Sequence, residues 1–196
     1  MKVLGIYGSP REGGNSDLLL DKALAGAASA GADIEKVVVR SLKISGCQEC
    51  GGCDKTGSCV ILDDMKNVYP SMWEAEIILL SSSIFFYGIP GATKQLIDRS
   101  QAMWSKRMLE KSPDQRKKYD HGRGYLIAVG ATKGKNLFEG VQLTAKYFFD
   151  ALAKSYEGGL FFRAVEGKGA VLEQPAALQE AYDLGVRVVK DKPANN

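Results

Sequence analysis

Apolar residues along the chain fall into two kinds of run. Val3-Leu4-Gly5-Ile6-Tyr7 and Ile77-Ile78-Leu79-Leu80 are continuous blocks, the pattern of strands covered on both faces. Between them, Leu19, Leu20, Ala23, Leu24 and Ala27 recur at helical spacing, and Gly31 closes the run. Carried through the chain, the pattern predicts strands at 2–7, 34–39, 76–82, 125–129 and 160–165. It predicts helices at 17–30, 63–69, 91–108, 137–155 and 172–190, with a basic polar stretch from Lys111 to Arg123. Alternating β and α of this kind implies an α/β fold, a parallel sheet with helices on both faces. No internal repeat, low-complexity segment or second domain is visible, so residues 1–196 read as one domain.

Composition narrows the partners. Apolar residues make up 45% and charged residues 25%, which excludes disorder for the bulk of the chain. The balance of 26 basic against 23 acidic residues gives +3, too mild to imply nucleic acid or a membrane surface. No apolar run approaches the roughly 20 residues of a membrane span. Met1–Tyr7 lacks a small-residue cleavage site and reads as a strand, not a signal peptide, so a cytoplasmic location is expected.

The loop after the first strand, Gly8-Ser9-Pro10-Arg11-Glu12-Gly13-Gly14-Asn15-Ser16, is the natural ligand site of such a sheet. Its glycines allow close approach of backbone to ligand. Ser9, Asn15 and Ser16 supply donors, Arg11 supplies charge, and the helix opening near Ser16 favours an anion. Gly-Lys-Ser/Thr and Gly-x-Gly-x-x-Gly are both absent, which argues against a nucleoside-triphosphate loop and a dinucleotide loop. The alternative is purely structural, with Asn15 and Ser16 capping the helix.

This loop resembles the phosphate loop of the flavodoxin-like NADPH-dependent FMN reductase family and departs from the threonine-rich loop of true flavodoxins. Ser83-Ile84-Phe85-Phe86-Tyr87-Gly88-Ile89-Pro90-Gly91, followed by Lys94 and Ile97-Asp98-Arg99, resembles that family's isoalloxazine-binding loop and the helix after it. The resemblance implies a flavodoxin-like, doubly wound, five-stranded sheet of order 2-1-3-4-5 that binds FMN. Ser9, Arg11, Asn15 and Ser16 would hold the phosphate, and Ser83, Ile84, Phe85, Phe86, Tyr87 and Gly88 the ring. Thr132, in Gly130-Ala131-Thr132-Lys133-Gly134, would close the pyrimidine side. No catalytic side chain is expected, because the cofactor performs the chemistry.

All four cysteines lie in one segment, Cys47, Cys50, Cys53 and Cys59, in the form C-x2-C-x2-C-x5-C. Disulfides would be spread to tie distant loops, so the clustering points to metal or redox chemistry. Compact arrays of this kind suit an iron–sulfur cluster, whereas structural zinc more often uses two separated knuckles. Reactive thiols, a labile disulfide and zinc remain alternatives. The segment, an insertion at about residues 45–62, resembles the cysteine motif of iron–sulfur flavoproteins. That resemblance implies a [4Fe–4S] cluster on all four cysteines, exchanging electrons with FMN.

An iron–sulfur flavoprotein is therefore the leading expectation, with NAD(P)H or a ferredoxin-type donor and oxygen, peroxide or a quinone as acceptor. A cluster-free NAD(P)H-dependent FMN or quinone reductase is the alternative, followed by a non-catalytic flavodoxin-type carrier. The resemblance also implies a homodimer or homotetramer, for which Met103 and Trp104 are interface candidates, with core packing as the alternative. His121, the single histidine, reads as solvated. The seven basic residues against three acidic ones between Lys106 and Arg123 read as a solvated flap, or as a surface attracting phosphates or an acidic partner.

Overall fold

The computed structural model describes residues 1–191. Strands β1 (Lys2–Tyr7), β2 (Asp33–Val38), β3 (Ile77–Ser83), β4 (Arg123–Val129) and β5 (Ser155–Phe162) form one parallel sheet in the order β2-β1-β3-β4-β5, as expected. Val3 stands opposite Ile34 on one side and Ile77 on the other. The chain leaves β1 and β3 in opposite directions across the sheet, which opens a crevice at the carboxyl edge.

Side chains alternate between two cores. Leu4, Ile6, Ile78, Leu80 and Leu126 face α2 (Met65–Glu74), α3 (Gly91–Arg99), α4 (Gln101–Glu110) and α5 (Glu139–Ala151). Val3, Tyr7, Ile77, Leu79 and Ile127 face α1 (Asn15–Ser29) and α6 (Pro175–Lys190). The last two helices pack backbone to backbone. A Cβ at Gly26 would stand 2.0 Å from the Tyr182 carbonyl oxygen, and one at Gly185 would stand 1.8 Å from that of Ala23.

Three expected elements are revised. The helix expected over 91–108 is broken at Ser100. Met103 N–H bonds the Ser100 carbonyl, and the Arg99 carbonyl accepts from the Tyr69 hydroxyl (3.0 Å), so the helical ladder skips a rung. The last strand lies at 155–162, earlier than expected, because Gly158 and Gly159 are taken into the sheet as a β-bulge against β4. Helix α2 runs through Pro70, past the expected end at Tyr69.

Candidate functional site

Loops that follow the strands of a parallel sheet all emerge at its carboxyl edge. The Gly8–Ser16 loop, the cysteine segment after β2, the Ser83–Pro90 loop and the Gly130–Leu137 loop therefore share one edge.

Gly8 fixes the first of them. Its N–H donates to the Ser81 carbonyl (2.9 Å) and its own carbonyl accepts from Thr93 Oγ1 (2.6 Å). A Cβ there would lie 2.5 Å from the Ser81 oxygen, so β1, β3 and α3 close around a residue that must be glycine. The loop then coils on itself. Arg11 N–H donates to Ser9 Oγ (3.2 Å), and Gly13 N–H donates to Asp17 Oδ2 (3.1 Å). Arg40 donates to both Asp17 (2.9 Å) and the Ser9 carbonyl (3.3 Å), bracing the loop from β2's end. Burial pushes the Asp17 carboxyl up, and Arg40 with the Gly13 N–H counters only part of that shift.

Gly14 is the N-cap of α1, and no side chain caps the helix. The capping role considered for Asn15 and Ser16 is thus not what these residues do. Asn15 donates to the Gly167 carbonyl (2.8 Å) and accepts from Val171 N–H (3.2 Å), tying α1 to the segment before α6. Its amide thus holds two backbone groups of the protein and keeps a second N–H beside the cleft that it lines. Ser16 Oγ is buried without a partner among the described residues, and so is Ser83 Oγ across the crevice. Buried hydroxyls are normally paired, so these two mark where a polar ligand would complete the structure.

A cleft of about 540 Å³ opens between these loops. Ser9, Arg11, Asn15 and Ser16 line one side, and Ser83, Ile84 and Phe85 the other. Val129, Ala131, Val165 and Glu166 complete the wall. The 165–166 contribution has no signature in the sequence; it arises because Asn15 anchors the chain at Gly167.

Phe86, Tyr87, Gly88 and Thr132 stand outside this wall. Phe85 and Gly88 exchange two backbone hydrogen bonds (3.0 and 2.8 Å) around a tight turn whose central residues, Phe86 (φ 47°) and Tyr87 (φ 61°), are both left-handed. That is type I′ geometry, usually made by Asn-Gly, and it costs aromatic L-residues on the order of 1–3 kcal/mol each. Phe86 projects fully into solvent, while the Tyr87 hydroxyl reaches Gly134 of the neighbouring loop. Thr132 is exposed, and Ala131 beside it faces the cleft.

A second cleft, of about 490 Å³, is lined by Cys47, Cys50, Cys53 and Cys59 together with Asp98, Arg99 and Gln101. All four thiols are free, Cys47 and Cys50 exposed and Cys53 and Cys59 half-buried. Cys53 Sγ accepts from Ser105 Oγ of α4 (3.5 Å). Among the described residues, no three His, Cys, Asp or Glu side chains are gathered into a ligand set as the chain stands. The donor chemistry suits a soft, thiophilic group, and the four sulfurs share one cleft.

The family model for NADPH-dependent FMN reductase matches residues 1–137, which contain the cysteine segment and the Gly8–Ser16, Ser83–Pro90 and Gly130–Leu137 loops. The chain belongs to that family. An iron-sulfur flavoprotein of Methanocaldococcus jannaschii is 38% identical over 103 residues, which is 53% of this chain and 53% of its own length. The chain thus spans about half the length of the curated relatives it matches in this way. Among solved structures, a flavone reductase superposes with a TM-score of 0.74 at 20% identity, over 97% of this chain and 62% of its own. A flavodoxin from the domain Archaea superposes at 0.57 and 16% identity, over 97% of each chain. These two likenesses concern the fold.

An FMN reductase family member needs a phosphate cradle and an apolar wall. The unpaired donors at α1 together with Ile84, Phe85 and Val129 match both needs. The remaining candidates lie elsewhere. His121 precedes β4 at the opposite edge of the sheet and packs on Trp73, ring centroids 4.1 Å apart, so it is half-buried and not solvated. The Lys111–Arg123 stretch shares that far edge, away from the flavin loops, and is strapped down. Buried Arg107 donates to the carbonyls of Asp150 and Arg116, and Arg116 Nε donates to the Lys111 carbonyl (2.9 Å). Met103 is core, whereas Trp104 is 40% exposed in a groove shared with Tyr147. No helix among the described residues is long and apolar enough to cross a membrane.

Proposed function

We propose that this chain is a flavin-dependent oxidoreductase of the iron–sulfur flavoprotein type, with FMN in the 540 Å³ cleft and a [4Fe–4S] cluster on Cys47, Cys50, Cys53 and Cys59. The observation that carries this reading is the emergence of the cysteine segment at the same sheet edge as the flavin-type loops. When bound, FMN supplies electron exchange in ones or twos, and the cluster supplies single-electron exchange.

The chain's own residues bind, orient and shield. Uncapped N–H groups of α1, Ser16 Oγ and Arg11 receive the phosphate. Ser83 offers a hydroxyl, and Ile84 and Phe85 exclude water from one side of the ring site. The Phe85–Gly88 turn holds its backbone rigidly at the rim, which suits the orientation of a flat ligand. Electrons enter from NAD(P)H or a ferredoxin-type protein and leave to oxygen, peroxide or a quinone. The exposed Trp104–Tyr147 groove supports a homodimer or homotetramer, and the proposed location is cytoplasmic.

A second reading, a cluster-free NAD(P)H-dependent FMN or quinone reductase, is favoured by the ungathered thiols. One experiment separates the two. Protein prepared and reconstituted without oxygen is assayed for FMN, iron and acid-labile sulfide. The leading reading expects all three, with the iron lost when the four cysteines are replaced by serine. FMN without iron or sulfide, and NAD(P)H oxidation undiminished in the serine variant, would establish the second.

A further inference from the structure

One buried side chain that the flavin cleft does not use organises the cysteine segment. Arg99, at the carboxyl end of α3, is 1% exposed. A guanidinium carries five N–H donors and no acceptor, and its planar fork suits carboxylates and paired carbonyls. Nη1 donates to the Ser45 carbonyl (2.9 Å) and Asp63 Oδ2 (2.6 Å). Nη2 donates to the Ile61 carbonyl (3.3 Å) and Asp63 Oδ1 (3.2 Å). Ser45 precedes the first cysteine and Ile61 follows the last, so one planar group ties both ends of the loop to α3. Asp63 completes the closure by accepting N–H bonds from Ser45 (3.0 Å) and Met65 (3.1 Å).

The four terminal donors are thereby accounted for. Nε, the fifth, is buried and has no partner among the described residues. Arg99 also forms part of the wall of the cleft that the four cysteines line. A buried donor of a charged group left unpaired is costly, and the cost is relieved if the cleft takes up an acceptor.

We propose that Arg99 is the positioning residue of the cysteine loop: it closes both ends of the loop through Nη1 and Nη2, and it offers Nε–H to the anionic, sulfur-rich group assembled on the thiolates. The second half rests on the cluster reading above, whereas the closure of the loop does not. Lysine does not reproduce the arrangement, because three donors on one nitrogen supply neither the planar fork that takes both Asp63 oxygens nor an Nε–H. Hydrogen bonds to cluster sulfur are among the determinants of its potential, and donation to sulfur favours the reduced, more negative form.

The test uses the full chain with FMN bound, as wild type, Arg99→Lys and Asp63→Asn. Hydrogen exchange of residues 45–62 is expected to quicken by about tenfold or more in both variants, while the sheet amides and FMN retention stay unchanged. After anaerobic reconstitution, a potentiometric titration followed by electron paramagnetic resonance reads the second half. Arg99→Lys is expected to titrate at a more negative potential than wild type, and Asp63→Asn, which keeps Nε, closer to wild type. Unchanged exchange in both variants overturns the closure. A wild-type potential in Arg99→Lys overturns the role of Nε. If wild-type protein takes up no iron, the cluster reading and the role of Nε fall together, and exchange alone then decides the closure. Should Arg99→Lys not fold, Asp63→Asn carries the exchange test by itself.

Discussion

Ser16 places a hydroxyl at the first turn of α1 that is buried and has no partner among the described residues, while its neighbour Asn15 bonds Gly167 and Val171. Both residue types looked equally suited to a phosphate from the sequence, and only the hydrogen-bond network separates them. Removing an unpaired buried hydroxyl should cost the flavin-free protein almost nothing. Ser16→Ala is therefore expected to shift urea stability by no more than about 0.5 kcal/mol, in either direction, while FMN binding weakens about tenfold. Arg11 is exposed beside the cleft, so its charge serves the ligand and not the fold. Arg11→Ala should raise the Kd for FMN about tenfold with the thermal melt unmoved. Flavin fluorescence titration checks both, and an unchanged Kd in Arg11→Ala removes this loop from the phosphate site. Ser9, Ile84 and Phe85 were legible as cleft residues, but Phe86 and Tyr87 were not legible as a left-handed turn. Nothing in a Phe-Tyr pair announces positive φ; the two bonds between Phe85 and Gly88 impose it.

The cysteine loop is the element whose chemistry is plainest in the sequence and whose anchoring is least so. Its spacing makes four ligands the expectation, yet the residues that close it, Asp63 in the loop before α2 and Arg99 in α3, are separated by 36 positions. Burial opposes ionisation of Asp63, but hydrogen bonds from Arg99, Ser45 N–H and Met65 N–H outweigh it and hold the carboxyl below the usual carboxylate range. A carboxylate whose folded pKa lies below its unfolded value, about 3.9, contributes stability that is complete above that value and is lost as pH falls through the folded one. Metal-free wild type should thus lose urea stability more steeply than Asp63→Asn, which lacks the carboxylate at every pH, as pH falls below about 4. Equal slopes would show that the ion pair contributes nothing to folding. The helix broken at Ser100 belongs to the same scale: continuous helical spacing predicts one helix, and the Tyr69 hydroxyl that takes the Arg99 carbonyl out of the ladder comes from α2.

Across the whole molecule, the two edges of the sheet divide the work. The carboxyl edge carries the clefts of the flavin-type loops and of the cysteines, and the opposite edge has a fastening of its own. Lys154, fully buried before β5, donates to the carbonyls of Ala75 (2.6 Å), His121 (2.6 Å) and Trp73 (3.4 Å), so one ammonium joins the end of α2 to the starts of β4 and β5. Burial pushes its pKa down to about 8, against the pull of Glu76. Lys154→Ala leaves those carbonyls unsatisfied and a void beside them, and is expected to cost about 3 kcal/mol in urea unfolding while FMN affinity holds. A matching loss of affinity would mean that the two edges are coupled. Taken alone, the sequence determined what local pattern can determine: alternating strands and helices, a glycine-rich loop after β1, and four thiols close in the chain. Continuous apolar blocks and tight spacing encode these directly, because each depends on neighbours a few residues away. Only the tertiary structure decided which donors stay free for a ligand, that residues 165–166 wall the cleft, and that Arg99 belongs to the cysteines and not to the flavin. Those outcomes depend on partners brought together by the fold, and a side chain's type does not record which distant carbonyl will claim it.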